Sequence, residues 1–223
     1  TASAFTTTYG TASAAQTFTV SGSNLTANLV ATAPTGFEVS ADGNTYGNTA
    51  TFTQTSGSAS GTLSIRLKAN AAVTGNYNAQ NIVLSSTGAT SVNITTAASG
   101  NSVSTKALTI TANSQSVPQG TRISTVTGAG SYTATGFVNG ETASVISGSA
   151  TYTTTYTDTT PAGTSGVTIT PIVTGLTATN YSFIPADGTI TVTSTLQAPP
   201  VLTAATTATV DAAFDVIFTD DSA

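Results

Sequence analysis

The chain has 223 residues, of which 39% are hydrophobic and only 6% are charged, and its formal net charge is −5. The charged fraction lies far below the roughly 25% usual for soluble proteins, and Lys and Arg together number four. Because phosphate binding needs clustered basic side chains, we expect no nucleic-acid partner. No apolar run reaches the roughly 18 residues that a transmembrane helix requires, so we expect no transmembrane segment.

The side chains of most enzyme active sites are missing. The sequence contains no His and no Cys, which excludes the Ser-His-Asp triad, cysteine nucleophiles and the usual zinc sites. No Ser lies three residues before a Lys, so a Ser-Lys catalytic pair is also absent. Glu38 and Asp42 are near each other in sequence, but we interpret them as solvated loop residues. We therefore expect a protein that is not an enzyme, with no catalytic, cofactor or metal residues.

The first hundred residues predict an antiparallel β-structure. Thr favours strands, and Gly and Asn supply turns, so the composition itself is a β composition. Several segments alternate apolar and polar residues with a period of two, which is typical of strands with one buried face. The number and spacing of these segments match an immunoglobulin-like (Ig-like) sandwich. The predicted strands are residues 5–10, 16–21, 24–31, 37–40, 50–55, 62–68, 81–85 and 91–95.

The clearest strand is predicted at 62–68. There we expect Leu63, Ile65 and Leu67 to line the core, while Ser64 faces solvent with the basic residues that follow it.

A short seam at 102–106 leads to a second set of strands. Because the seam has no Gly or Pro run, the two sets should sit close together. Pro171 predicts an edge or a bulge, since Pro cannot donate a ladder hydrogen bond. Residues 117–120 predict a turn. The predicted strands of this set are residues 107–111, 131–135, 150–156, 167–173 and 189–193.

Residues 136–148 carry the strongest hairpin signal, because Asn139-Gly140 separates two short apolar segments. We interpret Glu141, beside this turn, as a solvated loop residue. Tyr181 and Tyr77 have the spacing of a tyrosine corner, in which the hydroxyl bonds to the backbone a few residues upstream.

Residues 195–223 begin with a Pro-containing linker that favours an extended spacer. A further strand is predicted at 213–219, but the residues after the linker are too few to bury a core. They are interpreted as the first strands of a truncated third Ig-like module or as a strand that pairs elsewhere.

Four segments of the second set of strands carry a family resemblance, namely residues 107–113, 135–145, 175–181 and 187–192. In this order they resemble the MBG-type repeat of large bacterial surface adhesins. The family usually has an aromatic-Gly pair where this chain has residues 117–120. The resemblance implies an all-β repeat domain without catalytic residues.

The segments on either side resemble other modules of the same kind of protein. Residues 18–22, 33–40 and 63–67 are similar to bacterial Ig-like modules. Residues 199–203 and 214–221 resemble the opening of another bacterial Ig-like module, of which only the first strands are covered.

Two ligand hypotheses follow from the residues. Calcium prefers several oxygen ligands including carboxylates, and an acidic cluster near the end of the sequence could supply a structural site. Surface glycans would need exposed aromatic rings for stacking. The residues concerned are Asp211, Asp215, Asp220 and Asp221 for calcium, and Tyr132, Tyr152 and Tyr156 for glycans.

Together these patterns predict an all-β protein with tandem Ig-like β-sandwich domains in an elongated arrangement. The domains are 1–104 (Ig-like) and 105–194 (MBG-type), followed by the segment 195–223, and each domain is expected to bury its own core. We expect an extracellular location at the bacterial cell surface. The expected function is structural: a stalk segment of an adhesin-like surface protein or filament, in contact with neighbouring domains or copies of itself.

Two alternatives to the stalk remain at this point. One is a self-assembling extracellular fibre subunit, in which an exposed strand such as 213–219 adds to a neighbour's sheet edge. The other is a carbohydrate-binding module with its site in the loops at one end of a sandwich.

Overall fold

The computed structural model describes residues 1–195, and nearly all of their regular structure is β-strand. The predicted all-β fold class is confirmed. The predictions for residues 196–223, namely the extended spacer, the strand at 213–219 and the acidic cluster, lie outside the described residues. Within 1–195, none of the helices has the length and apolar character needed to cross a membrane.

The N-terminal half, residues 1–104, consists of two antiparallel sheets with a pair of short strands beside them. One sheet has the order β2-β6-β4 and the other β5-β3-β7-β8. β1 and β9 pair in parallel next to them. The strands are β1 Thr6–Thr8, β2 Gln16–Gly22, β3 Leu29–Thr32, β4 Phe37–Ser40, β5 Thr49–Phe52, β6 Ala59–Leu67, β7 Asn81–Ser85, β8 Val92–Thr95 and β9 Ser102–Ser104.

The centre of this half is the long strand β6. Leu63, Ile65 and Leu67 are fully buried between the two sheets, as the alternation predicts. Ser64 is also buried, at 5% exposure, so its predicted solvent position is wrong. The loop after β4 covers it: the Ser64 Oγ lies 3.9 Å from where a Cβ on Gly43 would be.

The strand predicted at 24–31 begins late, at Leu29. Asn24 has a positive φ of 57°, and the backbone N–H of Leu25 donates to the Gly57 carbonyl at 2.8 Å. The start of this segment is therefore a turn, because a left-handed residue interrupts an extended chain.

The C-terminal half, residues 105–195, has the sheets β12-β10-β17 and β11-β18-β15-β14, with a small β13-β16 pair. The seam predicted at 102–106 consists mostly of β-strand, because β9 ends at Ser104 and β10 begins at Lys106. The strands are β10 Lys106–Ala112, β11 Gln115–Pro118, β12 Tyr132–Thr135, β13 Ser147–Gly148, β14 Thr151–Thr154, β15 Thr168–Ile172, β16 Leu176–Thr177, β17 Tyr181–Ala186 and β18 Gly188–Thr193.

Two local predictions in this half can be compared with the structure. Pro171 pairs with Tyr152 of β14, while on the other side the ladder to β18 covers only Thr168 and Ile169. Pro171 thus has a strand neighbour on one side only, which confirms an edge-like position. The turn predicted at 117–120 begins later than expected, because Val117 and Pro118 still belong to β11.

One α-helix, α1 at Ile123–Gly128, is present that the sequence pattern does not predict. Its N-terminal residue Arg122 makes no side-chain cap, and the Ile123 N–H instead donates to the Asp158 carboxylate at 2.9 Å. Val126 is 1% exposed and fixes the helix against the sheets. Tertiary packing stabilises this short helix, whose sequence has weak helix propensity.

The buried apolar side chains form two clusters, and the first extends across both halves. It includes Phe37 and Ile65 of the N-terminal half together with Leu108, Ile110 and Tyr181 of the C-terminal half. The second cluster lies farther along the C-terminal half. The expectation that each domain buries a separate core is therefore wrong at the seam, where one apolar cluster serves both halves.

The tyrosine corner predicted at Tyr77 is confirmed. Its hydroxyl donates to the Ala72 carbonyl, five residues upstream, at 2.6 Å. Burial raises the pKa of this hydroxyl.

Replacing Tyr77 by Phe should lower the free energy of unfolding by about 1 kcal/mol, the usual net contribution of such a hydrogen bond. Equilibrium denaturation in urea measures this difference. Tyr46→Phe is the matched control, because the Tyr46 hydroxyl makes no protein hydrogen bond within residues 1–195. Equal stability of the two variants would contradict a structural role for the Tyr77 hydroxyl.

Candidate functional site

The densest group of interacting polar and aromatic side chains lies where the two halves meet. We call it the junction cluster and define it as Tyr9, Phe137, Val138, Glu141 and Tyr181. Tyr9 and Tyr181 are each 5% exposed, and Glu141 is half-buried.

Three separate parts of the chain supply these residues. Tyr9 directly follows β1, and its backbone N–H donates to the Ser104 carbonyl at 2.9 Å, which ties it to the end of β9. Glu141 follows the Asn139-Gly140 turn. Tyr181 is the first residue of β17. The junction therefore depends on the seam, one loop and one strand end.

The Glu141 carboxylate connects the halves. Its Oε1 accepts a hydrogen bond from the Tyr9 hydroxyl at 3.0 Å, and its Oε2 accepts one from the Tyr181 hydroxyl. The prediction that Glu141 is a solvated loop residue is wrong. A hydrogen bond to a charged group contributes more to stability than a neutral one, so this carboxylate is a strong link.

Aromatic packing surrounds the carboxylate. The Tyr9 and Tyr181 rings meet edge to face, with centroids 5.5 Å apart and planes at 82°. Phe137 meets Tyr181 in the same way at 5.9 Å and 73°. Pairs of this geometry contribute about 0.5–1.5 kcal/mol each beyond the area they bury.

The two halves approach closely at Gly10. Its φ is +91°, and a Cβ there would lie 2.5 Å from the Val138 Cγ2. Only Gly fits, because both the backbone conformation and the contact exclude a larger residue.

Further hydrogen bonds fasten the periphery of the junction. The Val73 N–H donates to the Asn180 Oδ1 at 3.0 Å. The Asn139 amide Nδ2 reaches the Ala69 carbonyl at 3.5 Å. Both bonds join a loop of the N-terminal half to a loop of the C-terminal half.

The structure revises two predictions around the Asn139-Gly140 turn. The turn itself is confirmed, with the positive φ values of 55° and 75° that a type I′ turn requires. The flanking strands are wrong, because residues 136–138 are not strand and a short 3₁₀ helix, Ala143–Val145, follows. The turn serves to place Val138 and Glu141 on either side of the Tyr181 hydroxyl.

The tyrosine corner predicted at Tyr181 is also wrong. The Tyr181 hydroxyl accepts from the Val138 N–H at 3.2 Å, 43 residues away in sequence, and donates to Glu141. Burial, followed by the hydrogen bond to Glu141, raises the pKa of Tyr181 to about 12.

Glu38 and Asp42 have separate hydrogen-bond partners. Glu38 lies on β4, not in a loop, and its carboxylate pairs with the Arg66 Nε at 2.7 Å. Asp42 is exposed in a loop, as predicted, and accepts hydrogen bonds from the Ser40 hydroxyl at 2.7 Å and the Thr45 N–H at 2.7 Å. These bonds hold the pKa of Asp42 well below its usual range.

The three tyrosines proposed for glycan stacking are not an exposed platform. Tyr156 is 1% exposed, and its hydroxyl donates to the Thr121 carbonyl at 2.9 Å. Tyr132 and Tyr152 are half-buried and pack against the two apolar clusters. Tyr156 is a core residue, which corrects its proposed role.

No group of three or more acidic side chains that could hold a metal occurs within residues 1–195. The four aspartates proposed as calcium ligands lie outside the described part.

The comparison with protein families supports the second half of the sequence interpretation. Residues 108–191 match the family described as MBG domain (YGX type). The MBG-type resemblance at 107–193 is thereby confirmed. This is a repeat domain of surface proteins, and it occupies nearly the whole C-terminal half. No curated protein and no solved structure matches the chain.

A double-mutant cycle on Tyr9→Phe and Glu141→Ala should reveal energetic coupling across the junction. Each change should lower the free energy of unfolding by about 1–3 kcal/mol, because it removes hydrogen bonds to a charged group. The coupling energy should be about 0.5–3 kcal/mol. Urea denaturation of the four proteins measures it. Tyr46→Phe combined with Glu141→Ala should be additive, since Tyr46 packs on Arg66 instead. Additivity in both cycles would contradict the bridge.

Stability should also fall at alkaline pH. The pKa of Tyr181 is about 12 in the folded protein and about 10 for an ordinary Tyr. The unfolded chain therefore loses this proton first, so the stabilisation is complete below pH 10 and is lost as the pH rises toward 12. Denaturation between pH 9 and 12, with tyrosine ionisation followed by ultraviolet absorbance, measures the loss. Tyr181→Phe should flatten the pH dependence, and an unchanged slope in that variant would contradict the assignment.

Proposed function

We propose that this chain is a structural stalk segment of a bacterial extracellular, adhesin-like surface protein or filament. Its role is spacing and attachment, without catalysis. The junction cluster is the observation that carries the proposal. A spacer keeps a constant length only if its units are held in a fixed orientation relative to each other. The MBG-type domain and the low charge of the chain support the surface location.

We further propose that the halves are two consecutive Ig-like domains, 1–104 and 105–194. Every strand ladder in residues 1–195 pairs strands of the same half, which supports a boundary after Ser104. Each half contains two main sheets with apolar residues between them, as a sandwich does.

The mechanism is mechanical. A sandwich with strands of this length, together with its loops, spans roughly 35–40 Å, so two in line extend about 70–80 Å. Glu141, Tyr9 and Tyr181 resist bending between the two domains because bending would break charged hydrogen bonds and separate packed rings. Further copies of such modules multiply the reach.

A second function, assembly of copies into a fibre by strand addition, is favoured by an open groove on the N-terminal half. Within residues 1–195, this groove is lined by two strands that each have a neighbour on one side only.

Spin labels on the two halves should give a narrow distance distribution. The chain has no native Cys, so Thr51→Cys and Ile184→Cys, both at exposed positions, carry one label each. Pulsed electron spin resonance reads the distance. Adding Tyr9→Phe and Glu141→Ala should broaden the distribution, while adding Tyr46→Phe should not. A broad distribution in the otherwise unchanged chain would contradict a stiff spacer.

A further inference from the structure

The N-terminal half contains a groove of about 420 Å³ between its two sheets, lined by apolar residues and by Ser and Thr side chains. It opens where β2, an edge strand of one sheet, faces β8, an edge strand of the other. No charged side chain lines it. Its apolar lining consists of Val20, Leu25, Leu29, Leu84, Val92 and Ile94.

The rim of the groove leaves a large apolar residue in solvent. Val92, the first residue of β8, is 65% exposed, more than any other large hydrophobic residue in the described part of the chain. The far end of β8 is covered, because the Ala2 N–H donates to the Thr95 carbonyl at 2.9 Å. Residues 92–94 thus have a strand neighbour only in β7. An edge of this kind accepts an added strand.

Two other gaps between sheets have close contacts across them. On the opposite side of the N-terminal half, Val39 and Gly47 exchange backbone hydrogen bonds of 2.8 and 3.0 Å between β4 and the segment before β5. In the C-terminal half, Tyr152 lies so close to Gly130 that a Cβ there would be 2.3 Å from its ring. Helix α1 also packs on β14 there. The groove between β2 and β8 differs from these two gaps.

The chain itself contains a segment with the pattern that the groove needs. In residues 213–219, Phe214, Val216 and Phe218 alternate with four other residues, namely Ala213, Asp215, Ile217 and Thr219. An extended strand would therefore present three large apolar side chains to one side and keep the carboxylate on the other. The apolar residues of the uncharged groove match the first side.

Strand directions indicate which copy supplies the segment. β2 runs from Gln16, near the junction, to Gly22 at the groove, so the groove lies away from the junction. β18 runs parallel to β11 and ends at Thr193, which also lies away from the junction but in the other half. The path along the strands is roughly 65 Å. β18 ends at Thr193, so residues 194–212 connect it to the segment. They span at most about 63–68 Å when fully stretched, so only an almost fully extended connection would reach the groove of the same chain, and a neighbouring chain reaches it with less strain.

We propose that residues 213–219 of one copy insert into the groove between β2 and β8 of the next copy, with Phe214, Val216 and Phe218 facing inward. The contact is head-to-tail, so it extends into a filament rather than closing into a dimer. This proposal rests on the structural role above and identifies the surface through which copies would connect.

Disulfide trapping tests the proposal on the full chain, since engineered cysteines are the only ones present. Val92→Cys with Val216→Cys should give a ladder of disulfide-linked oligomers that collapses on reduction. Ile184→Cys with Val216→Cys is the matched control, because Ile184 is 52% exposed but lies outside the groove. An excess of a synthetic peptide of residues 211–221 should suppress the ladder at least several-fold.

A second comparison uses the alternation in the segment. Val216→Asp places a charge on the inward face and should abolish assembly in sedimentation velocity. Ile217→Asp, on the outward face, should leave assembly unchanged. Both changes lie outside the described residues, so each variant should have the unfolding midpoint of the unmodified chain when all are measured at a dilution where the unmodified chain is monomeric.

Three results would overturn the proposal. Equal ladders from the Val92 and Ile184 pairs would indicate random collision. A single intramolecular disulfide without oligomers would place the segment in its own groove. A monomer with no disulfide would leave the groove without this occupant. In the last case, a narrow spin-label distribution would still support the spacer role, so the two proposals fail separately.

Discussion

The carboxylate of Glu141 is the interaction on which the relation between the two halves depends. It accepts one hydroxyl from each side of the junction, Tyr9 and Tyr181, and it is the acidic member of a cluster otherwise made of aromatic and aliphatic groups. The chain has only nine acidic residues, and one of them is this half-buried carboxylate with two hydrogen-bond donors. The aromatic rings shield it from water, which strengthens both hydrogen bonds.

The apolar cluster around this carboxylate explains why the seam needs no flexible linker. β9 ends and β10 begins with one residue between them, and buried side chains of both halves contact the same cluster. The two halves therefore share part of their hydrophobic stabilisation. A substitution in this cluster should affect both halves, whereas one in the second cluster should affect mainly the far end of the C-terminal half.

Sequence reasoning succeeded where the physical cause is local. The alternation at Leu63, Ile65 and Leu67 requires only the geometry of a strand, and the hydroxyl of Tyr77 closes onto a carbonyl five residues back. The MBG-type motifs were recognisable for the same reason, since they are short segments in a fixed order.

It failed where the partner is distant in the chain. Glu141 lies 132 residues from Tyr9 and 40 from Tyr181, so the sequence around it resembles an ordinary polar turn. The sequence of helix α1 has weak helix propensity. The acceptor for its first backbone N–H is the Asp158 carboxylate, 35 residues away. An acidic residue beside a turn, in a chain with so few charges, was the one available hint.

The parallel pairing of β10 with β17 has a consequence for the response to tension. β10 enters the C-terminal half and β17 leads into β18, its last described strand, and both run in the same direction. Pulling the two ends of this half apart slides these strands along each other. Their hydrogen bonds then resist together in shear instead of opening one by one.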